Sequence, residues 1–172
     1  MRRLGGHDKF APVVRDARSD DVEAIACVQV RSWQHAYAHV FAEDDLARIS
    51  LERREESARE ALSSPVSLVA ERDGEVLGFA FAGPSRDTDD FAELYSIYVE
   101  PGAWGTGLGR ALILEVERQL REQGFEDAEL WVLEDNPRGR HFYEAAGWTS
   151  ADVQPITIFG SEVPEIRYRR RL

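Results

Sequence analysis

FAELYSIYVEPGAWGTGLGRALILEVERQLREQ, Phe91–Gln123, is the stretch whose reading decides the fold. Its first nine residues are rich in aromatic and β-branched side chains, the composition of a strand. Glu100, Pro101 and Gly102 break that strand. Trp104–Gly109, WGTGLG, follows as a glycine loop. Beyond it Leu108, Leu112, Glu115, Val116 and Leu120 recur at helical spacing, with Ala111, Ile113 and Leu114 filling the face. Gly124 stands where a helix C-cap is expected. The unit is therefore strand, glycine loop, helix.

Such a unit has a physical use. Glycines at 105, 107 and 109 let the backbone turn tightly and approach a ligand closely. The first amides of a helix lack internal partners and lie at the positive end of its dipole. Together they form a cradle for phosphate or pyrophosphate, and Arg110 can add a charged contact. A tight turn that needs glycine for packing alone is the plainer alternative. Two phosphate loops do not fit. The P-loop requires Lys-Ser or Lys-Thr where Arg110-Ala111 stands. The dinucleotide fingerprint requires G-x-G-x-x-G in the first βαβ unit, whereas here G-x-G-x-G lies in mid-chain. A nucleotide-binding domain is thereby disfavoured.

The acyl-CoA loop, R/Q-x-x-G-x-G/A, matches at Gly107 and Gly109 and departs at Trp104, where Arg or Gln is usual. On this loop the chain resembles the GNAT superfamily of N-acetyltransferases. Two further segments carry the resemblance. YSIYVEP, Tyr95–Pro101, is similar to the family's thioester-carrying strand. NPRGRHFYEAAGW, Asn136–Trp148, is similar to its N-x-x-A-x-x-F-Y-E-x-x-G-F segment, with Gly139 for Ala and Trp148 for Phe.

The resemblance implies an acetyl-CoA-dependent acyltransferase that moves an acetyl group directly to a primary amine of a small molecule or peptide. Its cofactor contacts would fall on Ile97, Tyr98 and Val99 of the strand, on Trp104, Gly105, Thr106, Gly107, Leu108, Gly109 and Arg110 of the loop, and on Asn136 and Tyr143. Tyr143 matches the family's general acid; a half-buried aromatic is the alternative. Glu93, at the start of the strand, falls where relatives carry a general base; a solvated strand-end carboxylate is the alternative. Asn136 precedes a proline at a helix start and is equally an N-cap. Trp104 either covers the ligand or packs on the loop. Trp33 and Tyr37, near the end of the first helix, fall where relatives shape the amine pocket. Arg138 and Arg140 either reach phosphates or lie on a solvated helix face. The rival from another class is an acyl-CoA-binding module without turnover, which would not need Tyr143.

Around this core, 172 residues suit one domain. Residues 1–11, with Gly5-Gly6, are expected to be a loose tail and 12–172 a single N-acetyltransferase domain. The formal net charge of −11 argues against nucleic acid as a partner; it is compatible with a cationic amine and equally with a role in solubility alone. One cysteine, Cys27, excludes an internal disulfide and a multi-cysteine metal site, and no metal is expected; the thiol is expected buried. No apolar run is long enough for a membrane span, and the N-terminus lacks a signal-peptide core, so a cytoplasmic protein is expected. Acceptors would be small-molecule amines or a peptide N-terminus. Dimers are common among relatives of this type, so a homodimer is compatible, though no interface is legible.

The element order reads βααβββαβαββ. Val13–Asp16 begins it. Asp20 and Glu23 suggest a capping box for a helix through Trp33. One helix is expected from Asp44 or Asp45 to Leu62. Asp73-Gly74 joins two strands as a hairpin. Trp148–Val153 and Glu165–Arg169 are expected as final strands, the last at an edge blunted by its arginines. Hairpin and crossover together predict an α/β (α+β) fold: a central mixed, mostly antiparallel sheet of about seven strands with helices on both faces.

Overall fold

The computed structural model describes residues 12–172; the expected tail, residues 1–11, lies outside the described residues. Seven strands form one sheet: β1 (Val13–Asp16), β2 (Val66–Arg72), β3 (Glu75–Pro84), β4 (Ala92–Val99), β5 (Asp127–Leu133), β6 (Thr149–Ile158) and β7 (Ser161–Arg171). Their spatial order is β1-β2-β3-β4-β5-β7-β6. Only β4 and β5 run parallel; every other neighbour is antiparallel. Five α-helices accompany them: α1 (Val22–Ala36), α2 (Glu43–Ala47), α3 (Leu51–Ala61), α4 (Leu108–Glu122) and α5 (Pro137–Ala145). The mixed seven-strand sheet expected from the sequence is present.

The helices cover both faces. On one, α4 buries Leu108, Leu112, Val116 and Leu120 completely against β2, β3 and β4. Full burial of each such side chain contributes roughly 1.5–3 kcal/mol. On the other, α1 and α3 bring Val22, Ile25, Val28 and Ala58 onto Val69, Phe79 and Phe81. A third cluster, Tyr37, Phe41, Leu46, Ile49 and Leu133, packs the end of α1 onto the far half of the sheet.

Five expectations change. The helix expected from Asp44 to Leu62 is two helices, because Ser50 is extended and caps a new start by accepting a bond from Arg53 N at 3.3 Å. Asp21, not Asp20, secures the start of α1: its carboxylate accepts Arg18 N at 2.7 Å and pairs with Arg15. The last two strands are longer than expected and meet at Phe159-Gly160, both at positive φ. Finally β7 is interior and β6 is the edge. The β7 arginines therefore do not blunt an edge; they neutralise acids, Arg167 and Arg169 at Glu129, Arg170 at Glu117 and Arg171 at Asp127. Cys27 is half-buried rather than buried.

One irregularity positions everything that follows. Along β4, Ser96 opposes Phe81 and Leu94 opposes Ala82, so Tyr95 is an extra residue: a β-bulge. An added residue inverts the alternation beyond it. Leu94 and, past the bulge, Ile97 and Val99 thus share the α4 face, while Tyr98 turns to Phe79 on the other. The bulge also bends β4 away from β5. Those two strands pair only at Ala92–Ala128 and Glu93–Glu129, then diverge.

Candidate active site

Where β4 and β5 diverge, a cleft of about 870 Å³ opens. One wall is β4 from Leu94 to Val99, the other Trp131–Leu133 of β5 with the start of α5. The end of α1 and the β6–β7 hairpin bound it on the far side. Beyond Glu93, β4 has β3 on one edge and, among the described residues, no strand on the other. Glu100 N donates to Leu77 O at 2.8 Å. Ladder groups alternate in direction along an antiparallel pair. The amides and carbonyls of Ile97 and Val99 therefore point away from β3, toward the cleft. The Val99 carbonyl is already used: it accepts from Trp104 Nε1 at 2.7 Å and from Ser32 Oγ at 3.0 Å. The Ile97 groups and the Val99 amide have no strand partner among the described residues.

The glycine loop closes one end, and its three glycines have different reasons. Gly105 and Gly107 have φ of +76° and +91°, and a Cβ at either would meet nothing within 4 Å. Glycine is needed there for the left-handed backbone, and the space above it is open. Gly107 is the N-cap of α4 and offers no side chain to the first amides, so these face the cleft end without a protein cap. Gly109 is already helical. A Cβ there would lie 3.2 Å from Phe142 Cε2, so this glycine serves the packing of α4 on α5. Arg110 lines the cleft, whereas Leu108 is fully buried in the core and Thr106 turns its hydroxyl to Ala103 O at 2.6 Å. Neither side chain of the last pair lines the cleft.

Trp104 stands across this end. Its indole reaches the Val99 carbonyl, meets His35 edge-on at 5.0 Å, and carries the Arg138 guanidinium 4.4 Å above its ring. Arg138 thus lies at the cleft, while Arg140 is turned away onto Tyr168 and the Glu134 carbonyl.

Tyr143 projects from α5 into the same cleft, packed between Phe142, Trp148 and Tyr168. Burial raises its phenol above the ordinary value, and the nearby phenols of Tyr98 and Tyr37 raise it further. Asn136 caps α5 by accepting Gly139 N at 2.9 Å, and its Nδ2 donates to Tyr37 Oη at 3.1 Å. That explains Gly139: a Cβ there would stand 2.6 Å from Asn136 Nδ2. Trp33 Nε1 donates to Tyr98 Oη at 2.9 Å, and Trp33 and Tyr37 both line the cleft.

Glu93 is not brought to the cleft. It is buried at the closed end of the β4–β5 pair, and its carboxylate accepts the Arg86 backbone amide at 3.1 Å and the Arg86 guanidinium. The general base expected at Glu93 is corrected on this ground to an anchor for the loop before β4. Glu165 is the residue that sequence reasoning missed. It is buried on β7, lines the cleft, and has one side-chain partner among the described residues, Gln154 Nε2 at 2.8 Å.

Among the described residues no group of three or more metal-ligating side chains occurs, and no helix is long and apolar enough to cross a membrane.

The fold and the chain both have relatives. The structure superposes with a TM-score of 0.79 on the PaiA N-acetyltransferase of Thermoplasma acidophilum in complex with coenzyme A, covering 95% of this chain and all of that one at 21% identity. The sequence is 33% identical over 155 residues to the uncharacterized N-acetyltransferase YuaI of Bacillus subtilis, covering 89% of each chain. A mycothiol acetyltransferase of Sanguibacter keddieii is 40% identical over 90 residues, which span 50% of this chain and 29% of that protein. The model described as the acetyltransferase (GNAT) family matches residues 27–148, from α1 through the end of the Asn136–Trp148 segment. The chain belongs to the GNAT acetyltransferase family and is an acyltransferase.

Proposed function

We propose that this enzyme transfers an acetyl group from acetyl-CoA directly to a primary amine, with the donor lying along the free edge of β4. The observation that carries the reading is the β4–β5 divergence. It leaves the Ile97 groups and the Val99 amide without strand partners, and that edge runs into the open glycine loop. An extended arm bearing amides satisfies such an edge as a strand would. Its diphosphate would meet the first amides of α4 and Arg110. Arg138 stacked on Trp104 supplies a second cation at the place where Arg or Gln is usual in the loop pattern.

An amide of the bulged strand would polarise the thioester carbonyl. The amine nitrogen then attacks, the C–N bond forms, and the C–S bond breaks to release a thiolate. Tyr143 faces this leaving group. A free thiol titrates near about 8.5 and a phenol near about 10. Burial lifts Tyr143 further, so full proton transfer from it to the thiolate runs uphill. Its role is to donate a hydrogen bond to the sulfur as charge develops there, and to relay the proton that the amine loses.

Thermal melting in parallel with acetyl-CoA, CoA, ATP and NAD tests the donor. A ligand that binds only the folded state raises the midpoint by mass action. A shift with acetyl-CoA and CoA alone is expected, followed by thiol release when an amine is supplied. A shift with ATP or NAD instead would reject the reading.

A further inference from the structure

Five carboxylates of the described structure are buried: Asp21, Glu93, Glu117, Glu129 and Glu165. Four have arginine partners. Asp21 pairs with Arg15, Glu93 with Arg86, Glu117 with Arg170, and Glu129 with Arg167 and Arg169. Among the described residues Glu165 has no cation. Its Oε1 takes the neutral Gln154 amide, and its Oε2 has no hydrogen-bond partner among the described residues. A buried carboxylate without a counter-charge is costly. Glu165 is also the one of the five that lines the cleft.

Its surroundings are apolar and built by register. Glu165 opposes Leu133 on β5 and Gln154 on β6, and Val163 opposes Ile156. Side chains two apart along a strand, and those directly opposed, share a face. Val163, Ile156 and Ile158 therefore flank Glu165 on the face that receives Trp33, Tyr37 and Phe41. Phe159, at the tip of the β6–β7 hairpin, meets Phe41 edge-on at 5.2 Å and extends that wall. One carboxylate without a cation among the described residues thus stands at an apolar wall of the cleft, beside the region where the thioester would lie.

We propose that Glu165 receives the ammonium group of the acceptor and takes its proton, and that the acceptor is a singly charged amine on an apolar or aromatic body. This rests on the acetyltransferase reading above. The balance closes. The ammonium gives one proton to the Glu165 carboxylate, and the neutral nitrogen forms the C–N bond. As the C–S bond breaks, the second nitrogen proton passes through Tyr143 to the thiolate, and Glu165 returns its proton to water. The products are the N-acetyl amide, CoA thiol and one proton. A polyamine or aminoglycoside would leave further positive charges against an apolar wall, and the cleft disfavours it.

The test compares wild type, Glu165→Gln and Glu165→Asp with phenethylamine, spermidine and an alanine-terminated peptide as acceptors, reading thiol release and the thermal shift with acetyl-CoA. Wild type should prefer phenethylamine by at least about tenfold in kcat/KM. Loss of a positioned base typically costs about 10²-fold or more. Glu165→Gln should lose that much on phenethylamine while keeping the acetyl-CoA shift, and Glu165→Asp should recover part of it. Glu165→Gln within twofold of wild type, or a preference for spermidine or the peptide, would overturn the proposal. If Gln lowers the ligand-free midpoint so far that it cannot be assayed, Glu165→Met takes its place, and turnover of that variant within twofold of wild type overturns the proposal equally. Absence of any acetyl-CoA shift in wild type would instead reject the donor reading beneath it.

Discussion

The two edges of β4 have opposite fates. Toward β3 the ladder runs from Ala92–Pro84 to Val99–Gly78, interrupted only by the bulge at Tyr95. Toward β5 it stops after two residues. The paired edge holds the sheet together, and the other is without a strand partner past Glu93 among the described residues. Charge follows the same division. At the closed end, Glu93 and Glu129 stand side by side in register, each neutralised by arginine. At the open end Glu165 faces the cleft without a cation among the described residues. The other four buried carboxylates have arginine partners; the fifth, as proposed above, takes its counter-charge from the substrate.

The largest effect that would sharpen this contrast is at the open end. Tyr143→Phe should lower turnover by about 10²-fold or more while leaving acetyl-CoA affinity near wild type. Steady-state rates beside calorimetry check it, and unchanged turnover would remove the phenol from the reaction. Because burial holds that phenol protonated well above its usual value, no loss of rate between pH 7 and pH 9 should trace to its proton. Gly107→Val comes next. A Cβ at this position meets no protein atom, but the left-handed backbone is strained for any side chain. A folded variant, weakened by roughly 1–2 kcal/mol or more, should bind CoA at least tenfold less tightly. Normal affinity in the folded variant would remove the loop from the donor site.

At the closed end the predictions reverse in kind. Arg86→Ala leaves the Glu93 carboxylate buried with only a backbone partner, and should cost about 1–3 kcal/mol of stability. The exposed arginine end keeps the loss at the lower part of that range. Activity per folded molecule should hold. A selective loss of activity would return Glu93 to the chemistry. The smallest effect is at Gly109→Ala. The gain in helix propensity of about 1 kcal/mol is offset by the 3.2 Å approach to Phe142. The melting point should move by only a few degrees in either direction, with CoA binding retained.

How much of this was legible beforehand follows from how local each feature is. The strand–loop–helix unit, the Asp73-Gly74 hairpin and the Asn136 cap depend on neighbours within a few residues, and they stand where the sequence puts them. The break between α2 and α3 was hidden because charged residues run through both helices and Ser50 is a modest signal. The length of β6 and β7 was hidden by Pro155 and Pro164, which read as breakers. They oppose each other across the ladder, so one rung forgoes both donors. Glu93 lies on the strand where relatives carry a base, but its partner Arg86 returns across a loop whose closure no local pattern shows. Glu165 follows a proline on a strand near the C-terminus and reads as ordinary surface charge. Only the register with Leu133 and Gln154 brings it to the cleft.

Amide hydrogen exchange of β4, with and without acetyl-CoA, addresses the free edge most directly. The amides of Ile97 and Val99, which point from β3 into the cleft, should become protected on binding, while Tyr98, already facing β3, changes little. Protection elsewhere with Ile97 and Val99 unchanged would mean that the donor does not lie along this edge, and the account of the β4–β5 divergence would fail.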